Sequence, residues 1–309
     1  MKQLFIIPFF ILLAAICSCK KDNPVAAKVS PGGDDSSTVY YQLNTLGLHQ
    51  PRSGEYFILW TKTSPDTTWE VIAPLKIIYT SPEDSTMMVG KFLLNRSLDS
   101  IRDVLVTVEQ SNTPQKPGLV LCKENFRNLD SSKKLLTFSL ESKSVLGDFY
   151  PLLGNIVFTS KSSDPLAYTH EFYLMNFSVS DYKPSLQSLP ATPQGWEYGL
   201  WVADTNFTPH EYFFYGLFST PTGHDSDSTN DFFSFPGGSK PQQMNMPSGN
   251  IIVTLEPLLY GDQLKYHGPS PFTLLQFNRI RDIQKDSNYQ MTNVSEHGVP
   301  SGSITFRRY

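Results

Sequence analysis

Disulfides, spanning helices and helical periodicity are all missing from this sequence, and each absence narrows what the chain can be. Three cysteines in 309 residues cannot build a disulfide framework. Cys17 and Cys19 close the N-terminal apolar run, and Cys122 stands alone in Leu119-Val120-Leu121-Cys122, where a small buried hydrophobe is expected. A nucleophilic cysteine is favoured by a histidine partner, and none lies nearby in sequence. The longest apolar run, Leu4 to Ile16, has 13 residues broken by Pro8; a permanent spanning helix needs about 20. Basic residues are outnumbered, 25 against 29 acidic, for a formal charge of −4. That balance argues against nucleic acid as a partner, because phosphate binding requires clustered Lys and Arg.

Catalytic signatures are missing too. No Gly-x-Ser-x-Gly elbow, His-Glu-x-x-His pair, phosphate loop or Cys-x-x-Cys pair occurs, and none of the six histidines pairs with another at metal-ligand spacing. The chain is therefore read as a non-enzyme without a cofactor.

What is present begins with an address. Met1-Lys2 supplies a positive start, Leu4 to Ile16 has the length of a secretory-signal core, and the run ends in Ile16-Cys17-Ser18-Cys19. This resembles the lipobox of a bacterial lipoprotein, with small Ser18 before the cleavage point and Cys19 as acceptor of the lipid, palmitate included. Cys17, preceded by bulky Ile16, is the weaker acceptor. The expectation is a signal peptide over 1–18 and a protein held by its lipid in the bacterial cell envelope, outside the cytoplasm, on the periplasmic or the surface face. From 19 to 38 the sequence is polar, with Ser30-Pro31-Gly32-Gly33-Asp34-Asp35 at its centre, and reads as a flexible tether.

Beyond the tether, 23 prolines and 19 glycines over the whole chain punctuate short segments rich in β-branched and aromatic residues. Several, such as Val104-Leu105-Val106-Thr107-Val108, are apolar without alternation, the pattern of a strand covered on both faces. Only Ile280 and Ile283 allow a short helical turn. The expected fold class is all-β: two tandem antiparallel β-sandwich domains after the signal peptide and tether.

Internal repetition sets the domain count. Leu48 to Trp60 aligns without gaps on Leu189 to Trp201, sharing Leu, Gly and the final Leu-Trp. Val89-Gly90-Lys91-Phe92 is then set against Tyr215-Gly216-Leu217-Phe218, and Val106-Thr107-Val108-Glu109 against Val253-Thr254-Leu255-Glu256. The reading is a duplication, with one unit over 39–130 and the other over 131–309. Trp60 and Trp201 are expected to anchor the cores between two sheets.

The order Trp196-Glu197-Tyr198-Gly199-Leu200-Trp201-Val202, then Gly216-Leu217-Phe218, Ile252-Val253-Thr254-Leu255-Glu256-Pro257 and Gly268-Pro269-Ser270-Pro271 resembles the extracytoplasmic domain of anti-sigma-K-type factors. The resemblance covers about 120 residues of the second half, and the first half only through the repeat, where Gln110 replaces the proline. It implies an all-β module outside the membrane with no catalytic role. The sequence shows neither the sigma-binding segment nor the spanning helix of that family, so fold and location are implied and the family's activity is not.

Candidate sites follow from residue type. Trp196, Tyr198 and Tyr212 form a glycan platform if exposed in a row, and core if buried. Asp225, Asp227 and Asp231 alternate with small polar residues and crowd oxygens as a Ca²⁺ loop does, though without the glycine and terminal glutamate of an EF-hand. Glu109 and Glu256 close apolar strands, where a carboxylate accepts N–H bonds from the following turn; acid–base chemistry would require a second carboxylate at fixed distance. The expected function is non-catalytic binding, sensing or envelope signalling. Its partners are the membrane, through the lipid, and an envelope protein or glycan; the alternative is a carbohydrate-binding or glycan-processing surface lipoprotein.

Overall fold

The computed structural model describes residues 37–76, 79–80, 85–160, 170–178, 181–204, 211–220, 249–261, 264, 267–278, 284 and 286–309. Cys19, the aspartates Asp225, Asp227 and Asp231, and the turn at Ile280 and Ile283 lie outside them. The strands are β1 (Thr38–Leu46), β2 (Tyr56–Thr63), β3 (Trp69–Pro74), β4 (Tyr79–Thr80), β5 (Ser85–Leu93), β6 (Ile101–Glu109), β7 (Leu119–Asp130), β8 (Leu135–Glu141), β9 (Asn155–Ser160) and β10 (His170–Tyr173). They continue with β11 (Met175–Ser178), β12 (Asp181–Pro184), β13 (Trp196–Asp204), β14 (Glu211–Phe218), β15 (Gly249–Pro257), β16 (Thr273–Phe277), β17 (Asn288–Gln290), β18 (Thr292–Asn293) and β19 (Ser301–Arg307). Two α-helices, α1 (Lys143–Leu146) and α2 (Ser295–Gly298), have four residues each. Among the described residues no helix is long and apolar enough to cross a membrane.

The all-β class is therefore met. Pairing is antiparallel throughout the described strands. A nine-stranded sheet runs β3-β2-β6-β7-β8-β19-β1-β5-β4, a five-stranded one β14-β13-β15-β16-β18, and two small sheets run β10-β9-β17 and β11-β12. One interior serves both large sheets. Phe57, Leu59, Val106 and Val108 of the first belong to the same buried cluster as Tyr198, Leu200, Val253 and Leu255 of the second. The ring of Phe272 stands 6.2 Å from that of Phe57 and 5.9 Å from that of Trp196, joining the halves.

Strands with continuous apolar sequence are covered on both faces, as expected. Along β6, Val104, Val106 and Val108 enter the shared interior while Leu105 enters a smaller cluster on the other face with Ile58 and Trp60. Where one face is solvated the alternation is clean: β8 reads intermediate and buried by turns.

The boundary expected at 130/131 is corrected. Asp130 ends β7 and pairs across a short turn with Leu135 of β8, so one hairpin spans it. The last strand, β19, returns to the first sheet and lies between β1 and β8, pairing Tyr41↔Phe306 and Phe306↔Leu136. Residues 36–309 form a single compact unit.

Candidate functional site

The ladders of the two halves correspond strand by strand. In the first copy Tyr56 faces Glu109, Ile58 faces Thr107 and Trp60 faces Leu105. In the second Glu197 faces Glu256, Gly199 faces Thr254 and Trp201 faces Ile252, the same register up to Lys62 and Ala203; beyond them β2 shifts against β6 between Lys62 and Thr63, while β13 and β15 stay in step. Two irregularities repeat as well. β2 shifts against β3 between Leu59 and Trp60, and β13 against β14 between Leu200 and Trp201. β6 shifts against β7 between Val106 and Thr107, and β15 against β16 between Val253 and Thr254. Bulges are specific backbone events; two in matching places give β3-β2-β6-β7 and β14-β13-β15-β16 the same local construction.

The turn into each copy is repeated too. Glu55 N–H donates to Arg52 O at 3.0 Å and Trp196 N–H to Pro193 O at 3.0 Å, with Gly54 at φ 85° and Gly195 at φ 84°. Positive φ at both positions favours glycine. One expected match is corrected: Gly90 lies on β5, which pairs with β1, while Gly216 lies on β14 beside β13. The strand equivalent to β14 is β3, with Ala73 facing Leu59 as Gly216 faces Leu200.

Each copy buries a tryptophan, a threonine and a glutamate on the face turned away from the shared interior. This corrects the placement of Trp60 and Trp201 between the sheets. They are fully buried, but in satellite clusters, Trp60 with Ile58 and Leu105, Trp201 with Leu217, Ile252 and Leu264. In the first copy Trp60 Nε1 donates to Thr107 Oγ1 at 2.8 Å, and Thr107 Oγ1 donates to Glu109 Oε1 at 2.5 Å. In the second, Trp201 Nε1 reaches Glu256 Oε1 directly at 2.9 Å, and Thr254 Oγ1 donates to the same oxygen. Gly199 explains the difference. A Cβ there would stand 2.8 Å from Trp201 Nε1 and from Glu256 Cγ, and the first copy carries Ile58 at that place. Both carboxylates also accept an N–H from the turn that follows, Gly118 at 2.6 Å for Glu109 and Ser270 at 3.0 Å for Glu256.

Glu256 additionally binds across the copies. Arg52 Nη1 donates to its Oε2 at 2.8 Å, while Arg52 Nη2 and Nε donate to Glu55 Oε1 at 2.5 and 2.9 Å. The three side chains are 0 to 5% exposed. Burial pushes the Glu256 carboxyl above its usual range, opposed by Arg52, Thr254, Ser270 and Trp201. Every lone pair of this carboxylate that the fold engages is met by a donor of the fold itself. At the equivalent positions the second copy has Pro193 and Trp196, so the triad occurs once. Sequence reasoning missed Arg52, although an Arg and a Glu three apart beside a positive-φ glycine were readable as a turn carrying an ion pair.

Of the proposed glycan platform, Trp196 and Tyr198 are corrected to core. They are 2% and 0% exposed, and Tyr198 Oη donates to Pro190 O at 2.6 Å. Tyr212 is 42% exposed and borders a cavity of about 460 Å³ over the end of the five-stranded sheet, with Asn250, Gln276 and His49 among its other walls. No exposed aromatic row joins the three. Cys122 is buried and free, and burial pushes its thiol up to about 12. Among the described residues no three of His, Cys, Asp or Glu stand close enough to hold a metal ion.

Compared with family models, with curated proteins and with solved structures, the chain matches none of them.

Proposed function

We propose that the protein is a lipid-anchored module of the bacterial cell envelope, held outside the cytoplasm by an acyl chain on Cys19, that acts by binding or by envelope signalling without chemistry of its own. The lipobox-like Ile16-Cys17-Ser18-Cys19 after a short apolar run supports the anchor. The observation that carries the non-catalytic reading is the fate of the two strand-end carboxylates. Glu109 accepts Thr107 and Gly118, and Glu256 accepts Trp201, Thr254, Ser270 and Arg52. Groups so engaged hold a fold together; a general acid or base has to face a substrate. The resemblance of the second half to the extracytoplasmic domain of anti-sigma-K-type factors points the same way.

The test is metabolic labelling of cells with an alkyne-bearing palmitate. The wild-type chain takes up label and sediments with membranes. Cys19→Ala takes up none and leaves the membrane fraction. Label and membrane association both retained in Cys19→Ala would refute the anchor.

A further inference from the structure

We propose that the cavity beside Tyr212 is a binding site for a neutral sugar ring. The assignment is independent of the lipid anchor and rests on what the second copy changes relative to the first.

The duplicated register supplies an internal control. In the first copy Lys62 faces both Trp69 and Asp103 across its two ladders. Lys62 Nζ lies 5.8 Å from the centre of the Trp69 ring and 4.0 Å from Asp103 Oδ2. The aromatic face there is taken by the copy's own cation. In the second copy the same three positions are Ala203, Tyr212 and Asn250, again facing one another across the ladders. In sequence the lysine position becomes alanine and the aspartate position becomes asparagine, its neutral isostere. Tyr212 and Asn250 both border the cavity.

Local structure then builds the walls. Between Val253 and Thr254 the ladder to β16 skips Leu274, so Thr273 and Gln276, three apart, both line the cavity. Gln276 Nε2 donates to Asn278 Oδ1 at 2.7 Å, which orients its amide. Opposite, α2 lies so close on β16 that a Cβ at Gly298 would fall 1.7 Å from Thr273 O. His49, from the loop after β1, is fixed by Nε2 at 3.0 Å from His297 O. The site therefore needs the first half of the chain as well as the second.

Chemistry selects the ligand. About 460 Å³ lies within the range of small-molecule pockets, roughly 300 to 1,000 Å³. The described lining residues include no Asp, Glu, Lys or Arg; they present amide, hydroxyl, imidazole and apolar groups. Amide and hydroxyl groups offer donors and acceptors together, which is what a ring of hydroxyls presents in return. The flat, polarised face of a tyrosine suits the axial C–H groups of that ring.

The experiment is calorimetric titration of the full chain, in a detergent without a sugar headgroup, with glucose, galactose, mannose and N-acetylglucosamine, and with glucuronate and glucose 6-phosphate as charged counterparts. At least one neutral sugar binds. Tyr212→Ala and Asn250→Asp each weaken it by about tenfold or more, a loss of about 1.4 kcal/mol, while Lys62→Ala leaves it unchanged. If Tyr212→Ala fails to fold, the isosteric Asn250→Asp decides. No binding of any neutral sugar, preference for the charged pair, or affinity indifferent to the substitutions at both positions overturns the assignment.

Discussion

Arg52 Nη1 lies 2.8 Å from Glu256 Oε2, joining the turn before β2 to the end of β15 across 204 residues of sequence. Because Arg52 also holds Glu55, removing it strands two buried carboxylates. Arg52→Ala is expected to cost about 3–5 kcal/mol, read by urea unfolding. Glu256→Gln leaves Arg52 paired with Glu55 and costs less. Equal losses from the two substitutions would show that the arginine does not serve both carboxylates.

Gly199 is the residue that lets Trp201 reach Glu256. Gly199→Ala pushes a methyl group to 2.8 Å from Trp201 Nε1 and Glu256 Cγ and 3.0 Å from Thr254 Oγ1. Overpacking of this kind costs about 1–3 kcal/mol. A stability unchanged in thermal or urea unfolding would mean that the cluster yields freely.

The two tryptophans differ in what they leave behind. Trp201→Phe removes a donor from a buried carboxylate, and hydrogen bonds to charged groups contribute about 1.5–3 kcal/mol; Trp60→Phe removes one from the neutral Thr107 hydroxyl, nearer 1 kcal/mol. Parallel urea titrations should rank Trp201→Phe as the more damaging. The reverse order would deny the division of roles between the copies.

Cys122 sets an alkaline signature. Its thiol ionises near 9.0 when free and is pushed up to about 12 in the fold by burial. The native state therefore keeps a proton that the unfolded chain releases, so this contribution is full below pH 9 and is lost as pH rises from there toward 12. The slope reaches at most about 1.4 kcal/mol per pH unit. Tyr41 and Tyr198, whose hydroxyls burial also raises, add to the loss. Cys122→Val should flatten part of the decline in urea stability above pH 9. Rapid reaction of the native thiol with a disulfide reagent at pH 8 would contradict its burial.

Much of the fold was written locally. The run Val104–Val108 is apolar on both faces because β6 separates two clusters, and Leu48–Trp60 repeats in Leu189–Trp201 because the same turn and bulge follow in each. The misreadings have physical causes as well. β3 is an edge strand with exposed or half-buried side chains and has no glycine to answer Gly216, whereas β5 carries Gly90 and so resembles β14 locally. Trp196 and Tyr198 carry polar tips that suit either a platform or a core. The place of β19 between β1 and β8 is a long-range pairing that no local pattern encodes. The walls beside Tyr212 come from residues as distant as His49 and His297, so the cavity could not be seen in the order of the chain.

That the duplicated sheets close on one interior can be measured by native-state hydrogen exchange in rising urea at the amides of β6 and β15. Both strands should join a single global opening with the same free energy and the same urea dependence, and Arg52→Ala should lower the two together. If β6 opens at one free energy while β15 stays protected to another, and Arg52→Ala moves only one of them, the halves are separate domains and the shared core is refuted.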